Sequence, residues 1–258
     1  MKLRLLAGIA AALLLLGCGG TSNGKSVSEK GDPPPYTAKN FSSRTASAWL
    51  KLKTAHVDLS IGSGPNRLTG KGVVLNGPSA ETSAFRANYK TRGLNFEMRA
   101  VKGIIYINYG DLTKHKFIVV DPADTDNELS KLFAPVIESM DLASSVRKFS
   151  GAITHVKRSG KPKMLDGVST TPYAVTIDTD KLKASRLFEV VPKNAIPETL
   201  NYIFYMAADD APRRMIYSGS GAEFIMNLTK VGEPVVIVSP DKSEQIDQSI
   251  LKNREKTA

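Results

Sequence analysis

The chemistry most plainly written in this chain is that of one thiol. Cys18 is the sole cysteine among 258 residues, and it ends the run Leu13-Leu14-Leu15-Leu16-Gly17-Cys18. A small residue before a cysteine, behind an apolar stretch, lets a membrane-embedded peptidase reach the bond and leaves the thiol open to acylation. Leu15-Leu16-Gly17-Cys18 fits that lipobox. Lys2 and Arg4 form a positive leader and Leu5 to Leu16 a short apolar run, the order of an export signal. The run falls short of the ~18–20 apolar residues that a bilayer-spanning helix needs. Residues 1–17 are therefore expected to be cleaved, with Cys18 becoming the first residue and an acylated anchor. Two or more acyl chains hold a protein stably on a membrane where one holds it marginally.

Other reactive constellations are weaker. His56, His115 and His155 lie far apart in sequence, without the pairing a zinc site needs, and are expected on strand surfaces. The chain has no Gly-x-Ser-x-Gly elbow and no Gly-x-x-x-x-Gly-Lys loop. Asp124, Asp126, Asp209 and Asp210 lack the Gly and distal Glu of a calcium loop, so they read as turn residues. Arg213-Arg214 suits either a phosphate or a water-facing strand. Asn227-Leu228-Thr229 matches a glycosylation sequon that has no use in most bacteria. Neither an enzyme, a metal nor a cofactor is indicated.

Composition places the same limits. The formal charge is +10, and +8 once Lys2 and Arg4 are removed. That charge is spread without consecutive basic blocks, which suits anionic headgroups or envelope polymers better than nucleic acid. With a single cysteine there is no internal disulfide, so the fold rests on its core.

The elements that would position any site follow in order. Residues 18–35, rich in Gly, Ser and Lys and ending in Pro33-Pro34-Pro35, read as a tether. Phe41, Ala48, Trp49 and Leu52 recur at helical spacing, with Thr37 or Asn40 as cap. Trp49, the sole tryptophan, reads first as a core anchor and second as a ligand contact. The period then changes to two, predicting six antiparallel strands over 57–61, 71–75, 83–89, 94–100, 104–108 and 116–120. Thr125 or Asp126 is expected to cap a helical region. There Leu129, Leu132 and Phe133 form one stripe, and Val136, Met140, Ala143, Leu142, Val146 and Phe149 another beyond Pro135, so two short helices are predicted. Strands resume over 152–157, 171–178, 196–206, 213–217 and 222–229, and a last one at 234–238 is expected to close the domain. The domain thus spans 36–240, with a polar tail over 241–258.

The C-terminal segments carry a resemblance. Asp166-Gly167-Val168, Tyr173-Ala174-Val175-Thr176-Ile177-Asp178, Ile196-Pro197-Glu198-Thr199-Leu200, Arg213-Arg214 and Gly232-Glu233-Pro234-Val235 before Ser239-Pro240 stand in an order that resembles the LppX/LprAFG family of actinobacterial lipoproteins. The likeness runs over about residues 45–245 and is strongest after 160. It implies an α+β fold like that of the LolA/LolB carriers, a strongly curved antiparallel sheet forming a half-open barrel around a few helices. It also implies binding of diacyl or triacyl lipids or glycolipids in the hollow, and their movement across the envelope. Pro172, Val231 and Ala211 depart from the pattern, where histidine, an aromatic residue and a turn glycine are usual; proline inside a strand argues for an edge or a bulge.

Strand alternation and helix stripes then nominate inward residues. They are Phe85, Leu94, Phe96, Met98, Tyr106, Tyr202, Phe204, Met206, Phe224 and Met226 from the sheet, and Leu132, Val136, Met140 and Val146 from the helices. An unfilled hollow costs about 24 cal/mol per Å³, so one large enough for acyl chains is expected to serve a guest. The methionines suit a surface that adapts to varied chains, or plain core filling. The sequence is thus read as that of a monomeric, extracytoplasmic carrier, anchored through Cys18, with lipid or glycolipid as cargo and an envelope transporter as a further partner. The alternative is a tethered interaction protein or scaffold with a filled core and no cargo.

Overall fold

The computed structural model describes residues 35–140, 149–182, 197–219 and 222–251. Cys18, Val146 and most of the tether lie outside the described residues.

The chain enters through a turn in which the Thr37 amide donates to Asn40 Oδ1 at 2.7 Å and the Asn40 amide to Thr37 Oγ1 at 3.3 Å, so the two expected caps serve each other. Helix α1 follows over Phe41–Leu52, and strand β1 (Thr54–Ile61) leads off the sheet. β2 (Leu68–Leu75), β3 (Ala84–Thr91), β4 (Leu94–Val101), β5 (Ile104–Asn108) and β6 (Phe117–Val120) follow, with two-residue turns joining β3 to β4 and β4 to β5.

Helix α2 runs over Glu128–Met140 with Pro135 inside it, so the expected break at Pro135 is not formed, while Leu142, Ala143 and Val146 of the second predicted stripe lie outside the described residues and 149–152 is again helical. Proline forfeits one backbone bond there, and burial of Phe133 and Val136 on either side keeps the helix continuous. Its start is held by Asn127, whose Oδ1 accepts from the Leu129 amide at 2.9 Å, not by Thr125 or Asp126.

The second half supplies β7 (Ile153–Arg158), β8 (Lys163–Leu165), β9 (Val168–Asp178), β10 (Thr199–Ala207), β11 (Pro212–Gly219), β12 (Ala222–Thr229) and β13 (Gln245–Ile246). They form a single open sheet in the order β13-β6-β5-β4-β3-β2-β1-β12-β11-β10-β9-β7, with β8 also on β9. All pairs are antiparallel except β13 on β6. The sheet is curved and does not close on itself.

Pro172 sits within β9, opposite Tyr205 of β10. On its other side β7 stops at the Arg158–Tyr173 pair and β8 begins at Lys163–Thr170, so its missing N–H falls in the gap between two partners. The Asp166-Gly167 turn has left-handed backbone at both residues, φ 49° and 74°, as a two-residue hairpin demands.

The strand expected at 234–238 is not formed. β12 already has β1 and β11 on its two sides, so the chain leaving it finds no free edge. It runs instead along the outer face. Thr54 Oγ1 donates to the Glu233 carbonyl at 2.6 Å and Arg99 Nη1 to the Val238 carbonyl at 3.4 Å, before β13 joins β6. Ile246, Ile250 and Leu251, in the stretch read as a polar tail, pack on the core.

Candidate functional site

Strand register decides which side chains meet on the concave face. One row crosses the sheet as Phe204–Met215–Met226–Leu59–Gly70–Tyr89–Phe96. A second runs Leu228–Val57–Gly72–Ala87–Met98–Ile107–Ile118. These rows are apolar throughout and largely buried. At their middle the side chains vanish. A Cβ on Gly72 would stand 2.2 Å from the Arg86 carbonyl oxygen, and one on Gly70 would stand 2.8 Å from the Tyr89 ring. Glycine there lets neighbouring strands and the Tyr89 ring close over the bend.

The nominated residues fall as follows. Phe85, Phe96, Met98, Tyr202, Phe204, Met206, Phe224 and Met226 are buried, as is Val136 of α2. Leu94, Leu132 and Met140 are partly buried and pack against the same cluster. Tyr106 lies on the opposite face: it pairs with Arg99 and Val119, while its neighbours Ile105 and Ile107 are fully buried on the concave side. Ile104-Ile105-Tyr106-Ile107 is apolar at every position, so alternation gave no phase and the largest residue was assigned inward. The inward list also lacked Val57, Leu59, Tyr89 and Met215. The Phe85-Ala87-Tyr89 alternation signals Tyr89, and Leu59 lies in an alternating run beside two aspartate- or serine-bearing positions; Met215 follows two arginines and carries no such signal.

Helices α1 and α2 pack over this face. Phe41 of α1 meets Phe204 edge-on with ring centroids 5.1 Å apart, and Tyr36 meets Tyr173 at 4.8 Å. The entry to α1 is latched to the β10–β11 turn. There Asp210 accepts from the Tyr36 hydroxyl at 2.5 Å and from Arg44 Nη2 at 2.6 Å, and the Arg44 guanidinium carbon lies 4.1 Å from the Tyr36 ring centroid. Burial, then the Asp210 hydrogen bond and charge, hold the Tyr36 phenol well above its ordinary range. Asp209, next to it, accepts from Arg213 at 2.6 Å, so Arg213 is a buried structural partner and does not face water. Arg214 donates to Asn227 Oδ1 at 2.6 Å. The aspartate pair thus serves the turn. His115 stands exposed beside Asp111 at 2.9 Å.

Helix α2 covers the other half, its Met140 carbonyl accepting from Ser83 Oγ at 3.2 Å. Val136, Ser139 and Met140 of α2 border a crevice of about 30 Å³ with Val74, Asn76 and Phe85. A second space of about 20 Å³ lies over Gly70 and Gly72. Burial alone raises the phenols of Tyr89 and Tyr109, and at Tyr202 burial is joined by the neighbouring Tyr217.

A few interior polar atoms break the apolar surface. Ser42 Oγ, Thr45 Oγ1 and Trp49 Nε1 of α1, and Ser130 Oγ of α2, are buried and find no hydrogen-bond partner among the described residues. Among the described residues there is no cluster of three or more His, Cys, Asp or Glu that could hold a metal ion, and no helix is long and apolar enough to cross a membrane.

No protein-family model and no curated protein matches the chain in sequence. Solved structures do match in shape. LprF of Mycobacterium bovis superposes with a TM-score of 0.54 at 18% identity, over 79% of this chain and 96% of that one. The lipoprotein LppX of Mycobacterium tuberculosis gives 0.52 at 15% identity, over 76% and 94%. The chain therefore has the fold of these proteins, the half-open, LolA-like sheet that the resemblance implied.

Proposed function

We propose that this protein is an extracytoplasmic lipoprotein that binds acylated lipid or glycolipid between its concave sheet and roofing helices, and carries it within the cell envelope. The observation that carries this reading is the apolar concave face of an open sheet, assembled from strands at both ends of the chain. A sheet needing only a core can close or pack on a second layer. An open one covered by helices leaves a hollow whose walls part when the helices shift. Its methionines, Met98, Met206, Met215 and Met226, adapt to guests of varied shape. The likeness in fold to LprF and to the lipoprotein LppX supports the same reading, as does the lipobox ending at Cys18.

Acyl chains lie along the rows of the concave face, with the lipid headgroup toward solvent. The anchor at Cys18 and the tether to residue 35 keep the hollow within reach of the membrane that supplies its cargo. Carriage is tested by transfer of a fluorescent diacyl lipid from donor to acceptor vesicles, with protein added in catalytic amount. Acceleration that saturates with protein is expected. A transfer rate equal to the protein-free rate would leave at most a holding role.

A second reading, a scaffold with a filled core, is favoured by one observation: Met98, Met215 and Met226 are fully buried. The two readings separate on whether lipid enters at all.

A further inference from the structure

The centre of the buried face of α1 is polar. At 3.6 residues per turn, the positions of α1 that face inward form one arc bounded by Ala48 and Ala46, and Thr45, Trp49 and Ser42 occupy its middle. Their side-chain atoms are not marginal to the core: Ser42 is 0%, Thr45 2% and Trp49 0% exposed. None of Ser42 Oγ, Thr45 Oγ1 and Trp49 Nε1 has a hydrogen-bond partner among the described residues.

Serine and threonine in a helix ordinarily relieve burial by bonding back to a carbonyl one turn earlier. That relief is taken at Ser43, which donates to the Asn40 carbonyl at 3.1 Å, and at Ser139, which donates to the Val136 carbonyl. Ser42 and Thr45 do not take it. Trp49 has no such recourse, because an indole N–H is a donor only and must find an acceptor. A buried polar atom left without a partner is costly, and three on one stripe are a large standing cost unless something brought into the hollow answers them.

Resting on the lipid-binding reading above, we infer that α1 recognises the acyl-ester linkages of the guest. Carbonyl oxygens accept from Ser42, Thr45 and Trp49, while the chains run on over the apolar rows. The guest is then a lipid with several acyl esters. Ser42 and Trp49 are separated by roughly 10 Å along the axis at 1.5 Å per residue, more than the one carboxyl of a free fatty acid spans. Saturated hydrocarbon or ether-linked chains fill the same hollow but offer these donors weak acceptors or none.

The test compares dioleoyl phosphatidylglycerol with its di-ether analogue, identical in chains and headgroup but lacking both carbonyls, each titrated into the full chain in detergent. The ester lipid is expected to bind at least about tenfold tighter, since each new hydrogen bond contributes on the order of 1 kcal/mol and tenfold is 1.4 kcal/mol. The preference should collapse in the Ser42→Ala, Thr45→Val, Trp49→Phe triple variant, which keeps the apolar area and removes all three polar atoms. Trp49, the sole tryptophan, also reports directly: its emission should shift with the ester lipid and not with the ether. Equal affinity for ester and ether in the unaltered chain overturns the inference while leaving lipid binding intact, and means that water answers these donors instead. A preference that survives in the triple variant also overturns it. Failure of both lipids to bind overturns the lipid-binding reading itself.

Discussion

Arg44 and Asp210 stand 166 residues apart in sequence and meet in a two-pronged ion pair, Nη2 to Oδ1 at 2.6 Å and Nε to Oδ2 at 3.1 Å. The pair ties the first turn of the roofing helix to a turn of the sheet beneath it, and the Tyr36 hydroxyl adds a third bond to the same carboxylate. It is the place where helix and sheet are held together by direction as well as by burial.

Asp210→Ala should therefore loosen the roof without unfolding the sheet. With side chains 17% and 29% exposed, solvent screens the pair. The expected loss is about 1 kcal/mol, a fall in Tm of roughly 2–4 °C. Amide exchange measured along the chain should quicken in α1 more than in β10 and β11. Uniform quickening throughout would deny the latch.

Alkali should unfold the protein earlier than the surface charges suggest. The denatured chain ionises its tyrosines near pH 10, whereas burial pushes Tyr109 up to about 12 and raises Tyr36, Tyr89 and Tyr202 further. A raised phenol pKa contributes fully below the unfolded value and loses its contribution as pH climbs toward the folded one. The Tm should hold steady up to about pH 10 and drop steeply above it. A flat profile between pH 10 and 12 would contradict the burial of these rings.

The register of β5 makes a sharper claim. Ile107→Lys places a charge in the concave core and should abolish folded protein, while Tyr106→Lys, on the outer face, should fold with a Tm within a few degrees of the parent because a lysine stem can lie along the surface. Circular dichroism of the two variants decides it, and the reverse order of stability would turn the strand over.

That pair also shows how far the sequence could be read. Alternation located strands such as Phe96-Glu97-Met98-Arg99 beside recognisable turns, whereas the open curved sheet was what the family resemblance implied. Where every residue was apolar, as at 104–107, nothing in the pattern distinguished the faces. The segment at 234–238 was read as a strand from its apolar run, yet strand pairing depends on a free edge, which belongs to topology. The polar centre of α1 was invisible for another reason: Ser42 and Thr45 look like solvent-facing positions until the sheet is seen to wrap beyond them.

The proposed anchor is Cys18, ahead of the described residues. Cys18→Ala should move the protein from the detergent phase to the aqueous phase in a phase-partition assay, with lipid binding unchanged. Retention in the detergent phase would assign membrane attachment to another part of the chain.

The central claim is that the hollow holds lipid. Its most direct test is native mass spectrometry of the full chain carrying Cys18→Ala, exported from an actinobacterial host and purified without detergent, with fragmentation of whatever rides along. The account predicts a population heavier than the chain by one multi-acyl lipid, released on activation and carrying ester-linked chains. Protein that is bare in every preparation, and stays bare after incubation with diacyl lipid vesicles, would contradict it.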